Sequence, residues 1–88
     1  MYRLNLKSNE VTLAAGIGNS TTVSSATLVR VTNSSGGSVV VGLQTAGAVG
    51  FASMTMLNNT TEIIEKKGSD LIHVLGGNVS VVKIGFTN

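Results

Sequence analysis

Within short runs of this chain, apolar and polar positions change places every second residue, and clusters of turn-forming residues separate the runs. Tyr2, Leu4 and Leu6 alternate with Arg3, Asn5 and Lys7, the two-residue period of a strand with one buried face. Thr27 to Asn33 sets Val29 and Val31 on one side and Leu28, Arg30 and Thr32 on the other, and Val39 to Thr45 sets Val39, Val41 and Leu43 against Val40, Gly42 and Gln44. The Ser/Gly-rich turn between these two segments predicts that they form an antiparallel hairpin. Phe51 to Leu57 has two usable faces, with Ala52, Met54 and Met56 on one and Phe51, Ser53, Thr55 and Leu57 on the other. Thr61 to Lys67 reads as a further strand. Val79 to Phe86 reads as a well-patterned last one, with Val82, Ile84 and Phe86 on one face and Lys83 opposite. Asp70 to Leu75 is either a short strand or a tight turn that delivers Leu71 and Ile72 to the core.

Turn signals at Asn33 to Gly37, Ala46 to Ala48, Asn58-Asn59, Lys67 to Asp70 and Gly76 to Asn78 recur at roughly 8 to 12 residues, the spacing of an all-β domain. Val, Ile, Thr and Leu fill the intervals, and β-branched side chains pack well on a pleated surface. The predicted architecture is a compact antiparallel β-sandwich or small barrel of about six to eight short strands. Residues 8–25 carry the weakest pattern: Val11 to Leu13 and Thr21 to Val23 each read as a brief strand among turns. A long connection with short pairing is expected there, with a partly extended N-terminal arm over residues 1–25 as the alternative.

Length then bounds the answer: 88 residues make one small domain with a single modest core. Charged residues are only 11% of the chain, against roughly a quarter in ordinary soluble domains. The exterior must therefore be dressed in Ser, Thr, Asn and Gly, or part of it buried on a partner. Cysteine is absent, which removes disulfides, thiolate metal sites and cysteine nucleophiles. A core of this size supplies about 3 to 5 kcal/mol, so homo-oligomerisation or docking is the expected further source of stability. Without proline and with little charge, the composition is opposite to that of disordered chains. No run approaches the roughly 18 apolar residues of a membrane span, and no apolar stretch succeeds the basic N-terminus as in a signal peptide. Synthesis in the cytoplasm, without a membrane partner, is expected.

Candidate chemistry is thin. The formal net charge is +2, but Arg3, Lys7, Arg30, Lys66, Lys67 and Lys83 are scattered, and Tyr2, Phe51 and Phe86 are too few to form a base-stacking platform; no nucleic-acid partner is expected. Gly16-Ile17-Gly18-Asn19-Ser20-Thr21 invites comparison with a phosphate loop. It has no Lys-Ser/Thr pair, Thr21 stands where a third dinucleotide glycine belongs, and the residues after it are β-rich rather than helical. A triad would need His73, Asp70 and one of many serines, without a nucleophile elbow to select one. Glu62, Glu65, Asp70 and His73 lack the spacing of a metal site, and Glu62 and Glu65, three apart on a strand, point to opposite faces, unlike a glycosidase pair. Asn-x-Ser/Thr sequons, such as those at Asn19, Asn33, Asn59 and Asn78, arise by chance in so Asn-, Ser- and Thr-rich a chain. The expectation is therefore a non-enzymatic protein with no cofactor, no metal and no catalytic residues. Two stretches stand out as candidate protein interfaces. Met54 and Met56 are either core filler or an adaptable contact surface. Tyr2, Leu4 and Leu6, with Arg3 and Lys7, are either an edge strand or an arm that adds to a neighbour's sheet.

Ala26 to Asn33, the Gly-Gly turn, Val39-Val40-Val41, Thr61 to Ile72 and the close Val82-Lys83-Ile84-Gly85-Phe86-Thr87-Asn88 together resemble small virion proteins of marine tailed bacteriophages, including cyanophages. The likeness covers roughly residues 26–88. Its most specific part is the strand ending Ile64-Glu65-Lys66, followed by a Ser-Asp-hydrophobic turn and a terminal strand that closes the sheet. It is a pattern rather than a catalytic motif, and no functional residues transfer. The resemblance implies a structural protein of the particle: a capsid decoration or cement protein on the capsid surface, bound to the major capsid protein and to symmetric copies of itself. A tail, neck or fibre component and a carbohydrate- or host-surface-binding module are the alternatives. The last of these would require an exposed aromatic platform.

Overall fold

Among the described residues the turn clusters mark off eight strands: β1 (Arg3–Leu6), β2 (Val11–Leu13), β3 (Leu28–Asn33), β4 (Val39–Gln44), β5 (Gly50–Met56), β6 (Thr60–Glu65), β7 (Leu71–Leu75) and β8 (Val79–Thr87), with one 3₁₀ turn at Ile17–Asn19. The computed structural model describes residues 3–47 and 49–87. Two antiparallel sheets form, one ordered β1-β8-β3-β6 with β2 also paired to β8, the other ordered β5-β4-β7. This is an all-β sandwich that does not close into a barrel. Asp70 to Leu75 resolves as a turn followed by strand β7.

Between the sheets lie Val29 and Val31 of β3, Val39 and Val41 of β4, Met56 of β5, Ile72 and Val74 of β7, and Val79 and Val81 of β8. Val29, Val31, Ile72, Val74 and Val81 have no accessible surface at all. The alternation expected for β3 and β4 places Val29, Val31, Val39 and Val41 inward, because a two-residue period leaves one register for a strand with one buried face. Of the two faces open to β5, the one with Ala52, Met54 and Met56 faces β4's core residues, and only Met56 is buried.

The predicted hairpin between the third and fourth segments does not form. β3 pairs with β6 and β8, while β4 pairs with β5 and β7, so residues 34–38 cross from one sheet to the other as an arch. Asn33 dictates this. Its side chain is fully buried, and Nδ2 donates to the carbonyls of Gly37 at 2.9 Å, Met56 at 3.1 Å and Leu57 at 3.1 Å. Oδ1 accepts from Ser35 N at 3.0 Å and Ser35 Oγ at 2.8 Å. The Asn33 carbonyl accepts from Asn59 N at 2.7 Å, and Gly36 N donates to Asn58 Oδ1 at 3.0 Å. The β3–β4 arch and the β5–β6 arch are thus tied to one another through a single amide. Asn59 takes a left-handed φ of 64° at the second arch, a conformation Asn tolerates better than most residues.

The N-terminal segment is not an arm over its described residues. Leu4 pairs with Phe86 and Leu6 with Ile84, while Val11 pairs with Val81 and Leu13 with Val79, so β1 and β2 run along one edge of β8 while β3 takes the other. The last strand is therefore the centre of its sheet, not its closing edge. The chain then passes to the second sheet, where Gly16 N donates to Val74 O at 2.8 Å and Thr21 exchanges bonds with Ile72 at 3.0 and 2.8 Å. This seals the free side of β7. Gln44, buried in β4, adds a bond from Nε2 to Ser20 Oγ at 3.0 Å. The Cα radius of gyration, 12.2 Å, is that of a fully collapsed chain of this length, about 12 Å.

Replacing Asn33 by Ala leaves the buried Met56 carbonyl without this donor, at a cost of about 1 to 3 kcal/mol for such a group when no water reaches it, and removes the amide's part-buried bonds to the Gly37 and Leu57 carbonyls. Urea unfolding of Asn33→Ala is expected to show a loss of at least about 2 kcal/mol. A midpoint unchanged from wild type would show that the amide does not hold the arches.

Candidate functional site

Direct cross-strand partners point to the same side of a sheet, so Leu4 with Phe86 and Leu6 with Ile84 share a face with Val82, which pairs with Arg30, and with Ile63, which pairs with the same arginine. This is the outer face of the first sheet, since Val29, Val31, Val79 and Val81 occupy the inner one. Val82 and Ile84 are nevertheless buried there, at 1% and 4% accessible. Beside them Leu4, Leu6 and Phe86 are exposed, Leu6 most of all at 67%. The result is an apolar patch on the solvent side of β1 and β8; Arg30 of β3 stands between it and the exposed Ile63 of β6, with Glu65, which pairs with Leu28, beyond. Alternation alone marks Val82, Ile84 and Phe86 as the patterned face of the last strand, yet the core face is Val79 and Val81. The usable signal is that β8 carries apolar residues in both registers, Val79 and Val81 toward the core and Val82, Ile84 and Phe86 on the outer face.

The interface candidates from the sequence do not form one site. Leu4 and Leu6 join the outer face just described. Arg3 and Lys7 lie on the opposite side of β1, and the Lys7 stem runs over Gly85, where an added Cβ would stand 3.1 Å from Lys7 Cε. Tyr2 lies outside the described residues. Met56 is buried in the core opposite Val39, so it serves as filler and offers nothing to a partner. Met54 is exposed and pairs with Val41. With Val41, Leu43, Ala52, Ser53 and Ile64 it lines an open, almost wholly apolar groove of about 150 Å³ at the β5 and β6 side of the sandwich.

The residues tested for chemistry are engaged in structure. His73 points away from the core, and its ring lies across Gly42, its cross-strand partner. A Cβ on Gly42 would sit 2.5 Å from His73 Cε1, so the glycine is the space the imidazole occupies. The buried His73 Nδ1 has no hydrogen-bond partner among the described residues, so the carboxylate contact that would orient a triad histidine is not made. Asp70 Oδ2 instead accepts from Lys67 N at 3.2 Å and closes the turn into β7. In the glycine-rich segment, Gly16 has a φ of 120° and its N–H is bonded to β7. Among the described residues no three of His, Asp and Glu gather as a metal site.

Two lysines are used internally. Val23, Ser24 and Ser25 all take left-handed φ values of 55 to 57°, which cost about 1 to 2 kcal/mol each in non-glycine residues. Thr21 Oγ1 and Thr22 Oγ1 accept from Val23 N and Ser25 N, both at 3.1 Å, and the Val23 side chain is buried. Lys66 Nζ donates to Ala26 O at 2.7 Å and Lys83 Nζ to Ser24 O at 3.0 Å. Gly68 permits this approach, since a Cβ there would stand 3.0 Å from Ser25 O. Burial pushes the Lys66 ammonium below its ordinary pKa, with Lys83 adding to the shift and Asp70 opposing it.

Compared with protein-family models, with curated proteins and with solved structures, the chain matches none of them.

Two measurements probe these local devices. Because the folded pKa of Lys66 lies below its unfolded value of 10.5, the unfolded chain holds more protons between the two values, and stability rises with pH across that window. Alkaline denaturation profiles are expected to show this rise in wild type relative to Lys66→Met; parallel profiles would contradict it. Gly42→Ala is expected to lower the melting temperature by several degrees, and by much less in a His73→Ala background, where the clash is gone. Equal losses in both backgrounds would show that the imidazole is not the obstacle.

Proposed function

We propose that this chain is a non-enzymatic structural protein of a virion, most specifically a capsid decoration or cement protein that binds the shell of the major capsid protein and stabilises it. The assignment to a virion rests on the resemblance of residues 26–88 to such proteins of marine tailed phages. What the geometry contributes is the outer face of the first sheet, where the exposed Leu4, Leu6 and Phe86 adjoin the buried Val82 and Ile84. That face is the observation that carries the reading. A domain with so little charge spends apolar side chains on the solvent side of a sheet where a partner removes them from water, at about 25 cal/mol for each Å² covered.

Docking through this face onto a repeating shell multiplies a small contact by the symmetry of the particle. Arg30 and Glu65 at its border supply the polar rim that orients such contacts. In this reading the protein folds in the host cytoplasm and resides on the capsid surface.

Purified protein incubated with undecorated phage shells is expected to bind and to raise the temperature at which the shells come apart. Leu6→Glu, at a position too exposed to disturb folding, is expected to weaken binding at least about tenfold, equivalent to 1.4 kcal/mol. Wild-type protein that neither binds nor protects shells would overturn the cementing role. Antibody labelling of tails rather than heads would move the protein to the tail, neck or fibre.

A further inference from the structure

We infer that two copies of this chain pair through the free edge of β5, antiparallel about a two-fold axis at Ser53, to join their three-stranded sheets into one. The other edges are guarded. β7 is sealed by Gly16 and Thr21. β6 carries Glu62 and Glu65, β1 is flanked by Arg3 and Lys7, and β2 is three residues long. Charges and short lengths are the usual protection of a sheet edge against pairing. β5 has neither: its seven residues, Gly50 to Met56, include no charge and no proline, all but Met56 are exposed, and the irregularity in its pairing falls at the Gly50–Phe51 end and leaves Ala52 to Met56 in regular register. Val49 and Leu57 at its ends are exposed as well, at 64% and 63%.

A second copy is the occupant that fits. No ionisable side chain occurs between Arg30 and Glu62, so two chains that each carry a net charge of +2 meet where neither presents any. Placed antiparallel on itself with Ser53 on the axis, the strand sets Ala52 opposite the partner's Met54 on the inner side of the joined sheet, within the stretch Ala52 to Met56 that pairs regularly with β4. An isologous contact of this kind is closed, because each edge is consumed by the other. The inner side is also where Ala52 and Met54 line the apolar groove with Val41, Leu43 and Ile64, so the partner's Ala52 and Met54 extend a cover over its mouth. Main-chain bonds supply the affinity and the alternating side chains the register. One strand pair is a small interface, so the dimer is expected to be concentration-dependent. The pairing uses the sheet opposite the proposed capsid-docking face and does not depend on that reading.

Sedimentation of the full chain over a range of concentrations tests it. Wild type is expected to approach twice the chain mass at high concentration. Ser53→Lys and Ser53→Glu, each setting like charges across the axis, are expected to dissociate at least about tenfold more readily. An equimolar mixture of the two variants is expected to recover the dimer, since opposite charges then meet at the same point. Leu6→Glu, on the other sheet, is expected to leave the dimer intact, and far-UV circular dichroism verifies the fold of each variant. Wild type that remains a monomer throughout would overturn the proposal, as would a dimer indifferent to both charges at Ser53 or a mixture that fails to reassociate.

Discussion

The buried amide of Asn33 is the constraint on which the architecture turns. A chain with strands at this spacing has an easy alternative, a meander in which each strand pairs with the next. Asn33 removes that alternative at two places at once. It ends β3 with a side chain that needs five polar partners, and they are supplied by the adjoining arch and by the carbonyls of Met56 and Leu57. A partly satisfied buried amide is costly while a fully satisfied one specifies a single arrangement, so both crossings are fixed together. The facing of the two sheets is the result.

Much of the local structure is legible in the sequence because one buried face selects one register. Val29 and Val31 in β3, and Val39 and Val41 in β4, fall on the sides that alternation assigns. Pairing partners are less legible. The segment Asn33-Ser34-Ser35-Gly36-Gly37 has the composition of a hairpin turn, and only the burial of Asn33 makes it an arch. Likewise, residues 8–25 look like a loose connection because their strands are short. Their anchorage comes from main-chain bonds to β8 and β7, which leave no mark on side-chain composition. The apolar outer face is hidden for a related reason: Val82, Ile84 and Phe86 alternate as a core face would, and only Val79 and Val81 on the opposite register show that β8 is apolar on both of its faces.

The chain divides its charge unevenly, and this sharpens what low charge means here. Of the six cations, Lys66 and Lys83 hold a left-handed turn in place through its carbonyls, so the basic count overstates what is offered to a polyanion. At the other extreme, the residues from Val31 to Thr61 present polar groups but no charge. They include both arches and the β4–β5 hairpin. An uncharged stretch with an open strand edge and a second sheet with an apolar outer face are two different surfaces.

The central place of β8 also sets the order in which the molecule can assemble. β1 meets β8 across more than eighty residues of chain, from Arg3 to Thr87, and β2 and β3 likewise wait for the same strand. Until residues 79–87 are available the first sheet has no middle, whereas β4 and β5 are neighbours in sequence and form their hairpin locally, on a scale of roughly 1 to 10 μs. Topologies dominated by such distant pairings fold in roughly milliseconds to seconds. The β4–β5 hairpin is thus the local element of a fold whose other sheet depends on its last strand.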